Sequence, residues 1–215
     1  MSEQGDQARL AELLVASEAL DEDVGKLLGK CQPRSRRGLI AMALCGTAFE
    51  HGVSLRLLID AGLTGTASAL CRLQFEAVVR AAWTAQCANE EWLDKFTTPV
   101  EGPGHEEPAS QVSIPTMLKH IRSHASHVAT EFELLLGAIK AMHSFVHSGS
   151  QAVVHALMPS YPNDKLMAVI WNRNLMLLYV ANAAVIAAQD PGLVPRMRLL
   201  REKHSSCMPP IQPSL

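Results

Sequence analysis

The chain has 215 residues, 48% of them hydrophobic and 19% charged, with a net charge of −2. That suffices for one good core, excludes a disordered chain, and supplies no global basic field toward nucleic acid or anionic lipid. Few aromatics against plentiful Ala, Leu and Met favour helices over sheets.

Residues 7–30 read as a first helix with Leu10, Leu13, Leu14, Leu20, Val24, Leu27 and Leu28 on its buried side, ended by Gly29, Gln32 and Pro33. Residues 36–61 form a second, opened by the basic Arg34-Ser-Arg36-Arg37, which reads as a solvated helix start. Gly62 and Gly65 break the chain, Thr64 or Thr66 caps the next helix, and so tight a turn implies an antiparallel pair. The third helix, residues 63–83, continues in pattern to Cys87. Its Leu70, Leu73, Ala77, Val78 and Ala81 make an apolar stripe, while Arg72, Glu76 and Arg80 stack at four-residue spacing into a polar seam, with Trp83 just beyond. Asn89 caps a short helix reaching Phe96.

Residues 97–113 hold TTPVEGPGHEEPAS, rich in Pro, Gly and Glu and without periodicity, and read as a flexible surface loop. A modest helix at 114–124 has Pro115 in its first turn, and a strong one at 130–147 aligns Phe132, Leu135, Leu136, Ile139, Met142 and Val146. After Ser148-Gly149-Ser150 a short turn of helix reaches Leu157. Asn163 or Asp164 caps the most hydrophobic helix, 165–189, terminated by Asp190-Pro191-Gly192. Its apolar run from Leu175 to Ala188 falls short of the roughly 20 residues that span a bilayer and reads as a core helix. A last helix covers 194–204. The expectation is an all-α antiparallel bundle of about five to seven helices. It comprises one domain over residues 1–206 and a disordered Pro-rich tail at 207–215.

The five cysteines, Cys31, Cys45, Cys71, Cys87 and Cys207, are widely spaced and form no Cys-x-x-Cys pair, which speaks against a disulfide framework or a zinc knuckle. A cytoplasmic location fits them. The polar start, MSEQGDQARL, argues against a signal peptide, and no membrane or DNA partner is indicated. No cofactor is expected. The helices carry more apolar surface than one layer of neighbours covers, so a homodimer is expected.

Three constellations could carry chemistry. In the seam, two arginines flank one carboxylate, leaving a guanidinium in need of a partner. The seam is either a clamp for a small anion or a buried ion network that pairs with His51, Arg173, Asp60 or a second subunit. The histidines come next: His143 and His147 are four apart and, with His51, would offer three imidazoles to a metal. That pattern resembles the metal site of DinB-type four-helix bundles, with one early histidine and a late His-x-x-x-His followed by Gly-Gln. Here the later part reads His143-Ser-Phe-Val-His147-Ser-Gly-Ser-Gln151, a partial match, and ordinary histidines on a polar face remain the alternative. His120, His124 and His127 lie beside the loop and read as solvated. Lastly, Lys140 and His147 loosely resemble the Arg-then-His signature of HEPN-type helical ribonucleases. There the His assists transfer of the 2′-hydroxyl proton and the cation stabilises the phosphorane.

A broader resemblance links these residues. Ala48-Phe-Glu-His51, Leu57-Leu-Ile, Ala61-Gly-Leu, Thr66-Ala, Leu70-Cys-Arg72-Leu-Gln-Phe75-Glu76-Ala and Val79-Arg80-Ala-Ala-Trp83 resemble an uncharacterised bacterial family of helical proteins that is distantly HEPN-like. Its later motif appears as Lys140-Ala-Met-His-Ser-Phe-Val-His147-Ser-Gly149. Leu73 replaces the family's Pro, and His143 its Asn, so the His-x-x-x-His pair is particular to this chain. The resemblance covers residues 36–190 and implies a site of His51, Arg72, Glu76, Arg80, Lys140 and His147, converging between the second, third and 130–147 helices. It implies no activity. Three functions follow: first a non-catalytic interaction or small-anion-binding module, then an HEPN-like ribonuclease or phage-defence toxin effector acting on RNA, then a metal-binding DinB-like bundle. Whether the chain is an enzyme stays open.

Overall fold

A computed structural model describes residues 3–97 and 112–210. They are all-α, without a strand among them. The elements are α1 (Glu3–Leu28), α2 (Arg36–Asp60), α3 (Thr64–Gln86), α4 (Glu90–Thr97), α5 (Ile114–His124), α6 (Ser126–Ile139), the single turn α7 (His143–Val146), α8 (Ser150–Leu157), α9 (Asn163–Ala188) and α10 (Val194–Lys203). Leaving aside α7, the described residues form nine helices, more than the five to seven expected; the short α4, α8 and α10, each read from the sequence, stand as full elements beside the longer ones. The loop expected at 97–113 lies largely outside the described residues, although Thr97 closes α4.

The α2–α3 hairpin and α9 form the centre, each packed against the other two. Ser35 opens α2, its hydroxyl accepting from Gly38 N at 3.1 Å. At the other end Gly62 N donates to Ile59 O and Leu63 N to Leu58 O, a Schellman closure that needs Gly62 at φ 76°. No side chain caps α3: Thr64 is its first residue, and its hydroxyl bonds His155 instead. Nor do Asn163 or Asp164 cap α9, which starts after Pro162. In both cases a fixed turn sets the start that capping chemistry was expected to set.

Gly52 marks the close crossing, since a Cβ there would lie 2.6 Å from Gln74 Nε2 and 3.1 Å from Leu177 Cδ2. On the other side of α9 lie α1, α10 and a 3-10 turn at Ser205–Cys207. Cys207 is fully buried, and its carbonyl accepts from Asn174 Nδ2 at 2.7 Å. The tail expected to fray from residue 207 is therefore packed at its start, and residues 211–215 lie outside the described ones. By length and composition α2 and α9 are each apolar enough to cross a membrane, as core helices often are, and 67% of the α9 window is buried.

The helix expected at 130–147 is interrupted. After α6 the chain tightens to a 3-10 turn at Lys140–Met142, resumes for α7, and ends at Ser148 with φ 50°. A 3-10 turn has about three residues per turn, so it shifts the phase of every side chain beyond it. Val146, placed by 3.6-residue spacing in the buried stripe, is consequently exposed.

Candidate site at the arginine seam

The seam lies along α3, and the two ends of the triplet differ. Arg72 Nε donates to Glu76 Oε1 at 2.7 Å, with the Arg72 side chain 17% and the Glu76 side chain 38% exposed. Arg80 is half-buried, and among the described residues its Nη1 is buried without a hydrogen-bond partner. Its guanidinium carbon stands 6.0 Å from the centroid of Phe96, which stacks on Trp92 at 4.4 Å; Trp92 in turn meets Trp83 edge-on at 4.8 Å. The electron-rich ring face suits a cation. A ring does not, however, replace the oxygen acceptors that a guanidinium's five donors require. Eight residues of helix separate Arg72 from Arg80, about 12 Å of rise. Glu76 therefore serves the first arginine and leaves the second open.

The antiparallel register, fixed by Gly52 facing Gln74, sets His51 at the level of the Arg72–Glu76 pair along the hairpin. Burial holds the His51 imidazole below its ordinary value, with Glu50 pulling the other way. No hydrogen bond joins His51 to the seam among the described residues. The 3-10 turn and α7 pack on α3, bringing the Lys140–His147 segment to the helix that carries the seam. Lys140, His143 and His147 are exposed there, and the two imidazole centroids are 4.4 Å apart. Ser144 is occupied: its hydroxyl accepts from Gln151 N at 2.9 Å.

Among the described residues no three His, Cys, Asp or Glu side chains form a set able to hold a metal ion, so His51 does not complete a triad with His143 and His147. His120, His124 and His127 are all exposed, as expected, and His120 also accepts from Trp83 Nε1 at 3.1 Å at the edge of the aromatic cluster near Arg80.

The buried ion network, centred on Arg173, lies elsewhere. Arg173, with no exposed surface, donates from Nε to Gly52 O and from Nη1 to Asn174 Oδ1, each at 2.8 Å, and pairs through Nη2 with Asp21. Asp21 also accepts from Arg56 Nε at 2.8 Å, and Arg56 reaches Glu18 at 3.5 Å. Asn174 Nδ2 donates to Ser17 Oγ at 2.8 Å. Arg173 thus binds α1 to α2 and α9 and is no partner of the seam. The sequence held a signal for it. Ser17 and Asp21 fall in step with Leu10, Leu13, Leu14, Leu20 and Val24, and Arg173 interrupts the most apolar helix.

No curated protein and no solved structure matches the chain. One family profile does, across residues 45–210, a stretch that contains His51, the whole seam, Lys140 and His147 and begins after α1. The match carries no link to HEPN proteins or to a bacterial source. The chain therefore belongs to DUF6988, a family of unknown function.

Proposed function

We propose that the protein is a non-catalytic helical module that binds a small anion, or an acidic group on a partner, at Arg80. One observation carries this reading: Arg80 Nη1 is buried and unpartnered among the described residues, while the one carboxylate of the seam is engaged by Arg72. A buried donor left unsatisfied costs about 1–3 kcal/mol, and more when charged, so an oxyanion there recovers energy the free protein forgoes. Phosphate and carboxylate match the planar fork of a guanidinium. The test is thermal unfolding with inorganic phosphate, succinate and chloride at equal ionic strength, for the wild type and Arg80→Leu. Binding at 100 times the dissociation constant stabilises by about 2.7 kcal/mol. That shift is expected for the wild type with an oxyanion and is absent in the variant. Equal shifts in both proteins place the anion elsewhere, and no shift in either removes the reading.

The exposure of Lys140, His143 and His147 on one short segment favours a second reading, an HEPN-like ribonuclease or toxin effector. The 3-10 turn at Lys140–Met142 weighs against it, because cation and imidazole no longer share one continuous helix. RNA cleavage that is lost in an identically purified His147→Ala and persists in chelator supports this reading. Cleavage equal in both proteins is contamination.

A further inference from the structure

A cleft of about 400 Å³ opens where α6, α9 and α10 come together, within the range of small-molecule sites, roughly 300–1,000 Å³. Helix α9 contributes Leu175, Leu178, Tyr179 and Asn182, whose offsets of three, four and seven place them on one face. Val128 of α6 and Met197 of α10 extend the apolar part of the lining. Leu175, Leu178 and Met197 are only half-buried, so apolar surface is left for a guest to cover.

Tyr179 stands out within this lining. It is 9% exposed, and its ring packs on the fully buried Phe132 at 4.8 Å. Its hydroxyl is buried and has no hydrogen-bond partner among the described residues, where a buried Tyr ordinarily finds one. The charges of the cleft are unpartnered too. Glu131 of α6 and Arg198, Arg201 and Glu202 of α10 line it, two of each sign, beside the imidazole of His127. Among the described residues none of the four forms an ion pair, although Arg198 and Glu202 have the four-residue spacing at which such pairs form.

We propose that this cleft binds an apolar α-amino acid. A plain anion would meet Arg198 and Arg201 but also two carboxylates, and a plain cation would meet the reverse. A zwitterion with an apolar body is matched at both signs and along the lining. The ligand carboxylate lies between Arg198 and Arg201, neighbours at i and i+3 on α10 whose planar forks suit it. The ammonium goes to Glu131, which is half-buried, rather than to the exposed Glu202, since exposed pairs contribute little. The side chain covers Leu175, Leu178 and Met197, and the ligand supplies the partner that the Tyr179 hydroxyl lacks. None of these residues belongs to the seam on α3, so the inference is independent of the Arg80 site and goes beyond it.

The test is isothermal titration of the full chain with L-phenylalanine and with three probes that each omit one feature. 3-Phenylpropionate lacks the ammonium, phenethylamine the carboxylate and glycine the apolar body. One L-phenylalanine binds per chain, and each probe binds at least ~10-fold more weakly, as loss of a charge-assisted bond or of the buried body requires. Arg201→Gln and Glu131→Gln weaken L-phenylalanine by the same factor, and Glu131→Gln leaves 3-phenylpropionate unaffected, which a merely structural role would not do. Tyr179→Phe keeps the ring and weakens L-phenylalanine by about 3-fold or more. Arg196→Gln, exposed on α10 outside the cleft, changes nothing. Circular dichroism checks that each variant is folded, and where one is not, the others decide. No binding of L-phenylalanine up to about 10 mM overturns the inference. Binding of 3-phenylpropionate or phenethylamine as tight as that of L-phenylalanine also overturns it, since the occupant then carries one charge. So does binding indifferent to both Arg201→Gln and Glu131→Gln, which places the amino acid elsewhere.

Discussion

Asp21→Ala is the most demanding test of the packing. Asp21 is 6% exposed, and its carboxylate is shared by two guanidiniums, Arg56 through Oδ2 and Arg173 through Oδ1. Truncation affects them unequally. Arg56 keeps the Glu18 carboxylate at 3.5 Å. Arg173 keeps only the neutral oxygens of Gly52 and Asn174, with no exposed surface through which water could reach it. Burial already pushes the Arg173 guanidinium below its ordinary value, and Asp21 is what opposes that. The variant therefore strands one buried charge, at a cost of about 3–5 kcal/mol. This is a large part of the ~5–15 kcal/mol that holds a domain folded. Asp21→Asn keeps one acceptor oxygen but turns an amide NH2 donor toward the other guanidinium and removes the compensating charge, so it recovers only part of the loss. Urea unfolding at pH 7 followed by circular dichroism measures both, and the double variant Asp21→Leu, Arg173→Met, which leaves no stranded ion, recovers most of the loss. A loss below about 1 kcal/mol for Asp21→Ala, the range of exposed pairs, refutes the argument. A double variant no better than Asp21→Ala shows that the cost was packing.

Two glycines of α2 respond with opposite signs. A Cβ on Gly38 lands 2.6 Å from the Ala187 carbonyl oxygen, and overpacking there costs about 1–3 kcal/mol, more than the up to ~1 kcal/mol that helix propensity returns. A Cβ on the exposed Gly46 meets nothing within 4 Å, so Gly46→Ala stabilises by about 0.5–1 kcal/mol; melting temperatures of the two variants check both. Hydrogen bonding to Lys203, then to His204, lowers the Asp23 carboxyl from 3.8 to about 2, against a desolvation cost. The folded value lies below the unfolded one, so this contribution to stability is present above pH 4 and lost as pH falls from 4 toward 2; Asp23→Asn flattens the acid limb of the stability curve there. Burial pushes the thiols of Cys45 and Cys71 up to about 12 and that of Cys207 to about 11, while Cys87 is half-buried. In native protein a thiol reagent modifies Cys87 first, and the other four react at the rate of unfolding.

The long helices were legible because each carries an uninterrupted 3.6-residue stripe bounded by Pro or Gly. Residues 36–61 and 114–124 agree with α2 and α5 to within a residue. The 3-10 turn at Lys140–Met142 was not legible. Its residues are sound helix formers, and the segment packs against α3, a tertiary contact that local sequence does not reveal. The seam's spacing was right, but periodicity sees one helix at a time. It could not show that Glu76 serves only Arg72, or that Phe96 of α4 comes to rest beside Arg80. The Arg173 network joins residues 152 apart in sequence, and Asp21 could be read as solvated because Glu18, Glu22 and Asp23 surround it.

The two arginine systems differ in how far their donors are satisfied, and the proposed anion site rests on that difference. Arg173 is fully buried and has an acceptor at Nε, at Nη1 and at Nη2, so no ligand can use it without unfolding the α1–α9 contact. Arg80 is half-buried and its buried Nη1 lacks a partner among the described residues, so on the anion-binding proposal an oxyanion supplies the acceptor it lacks. The consequence for mutation is asymmetric. Deleting a group whose bonds are made leaves partners orphaned, whereas replacing a charge whose bonds are missing by an apolar side chain of similar size is neutral or stabilising. Arg173→Met should therefore destabilise the free protein while Arg80→Leu leaves it as stable as before, the Arg80 substitution showing only when oxyanion is added. If Arg80→Leu destabilises the protein in chloride alone as much as Arg173→Met does, Arg80 is a structural residue after all and the anion site is lost with it.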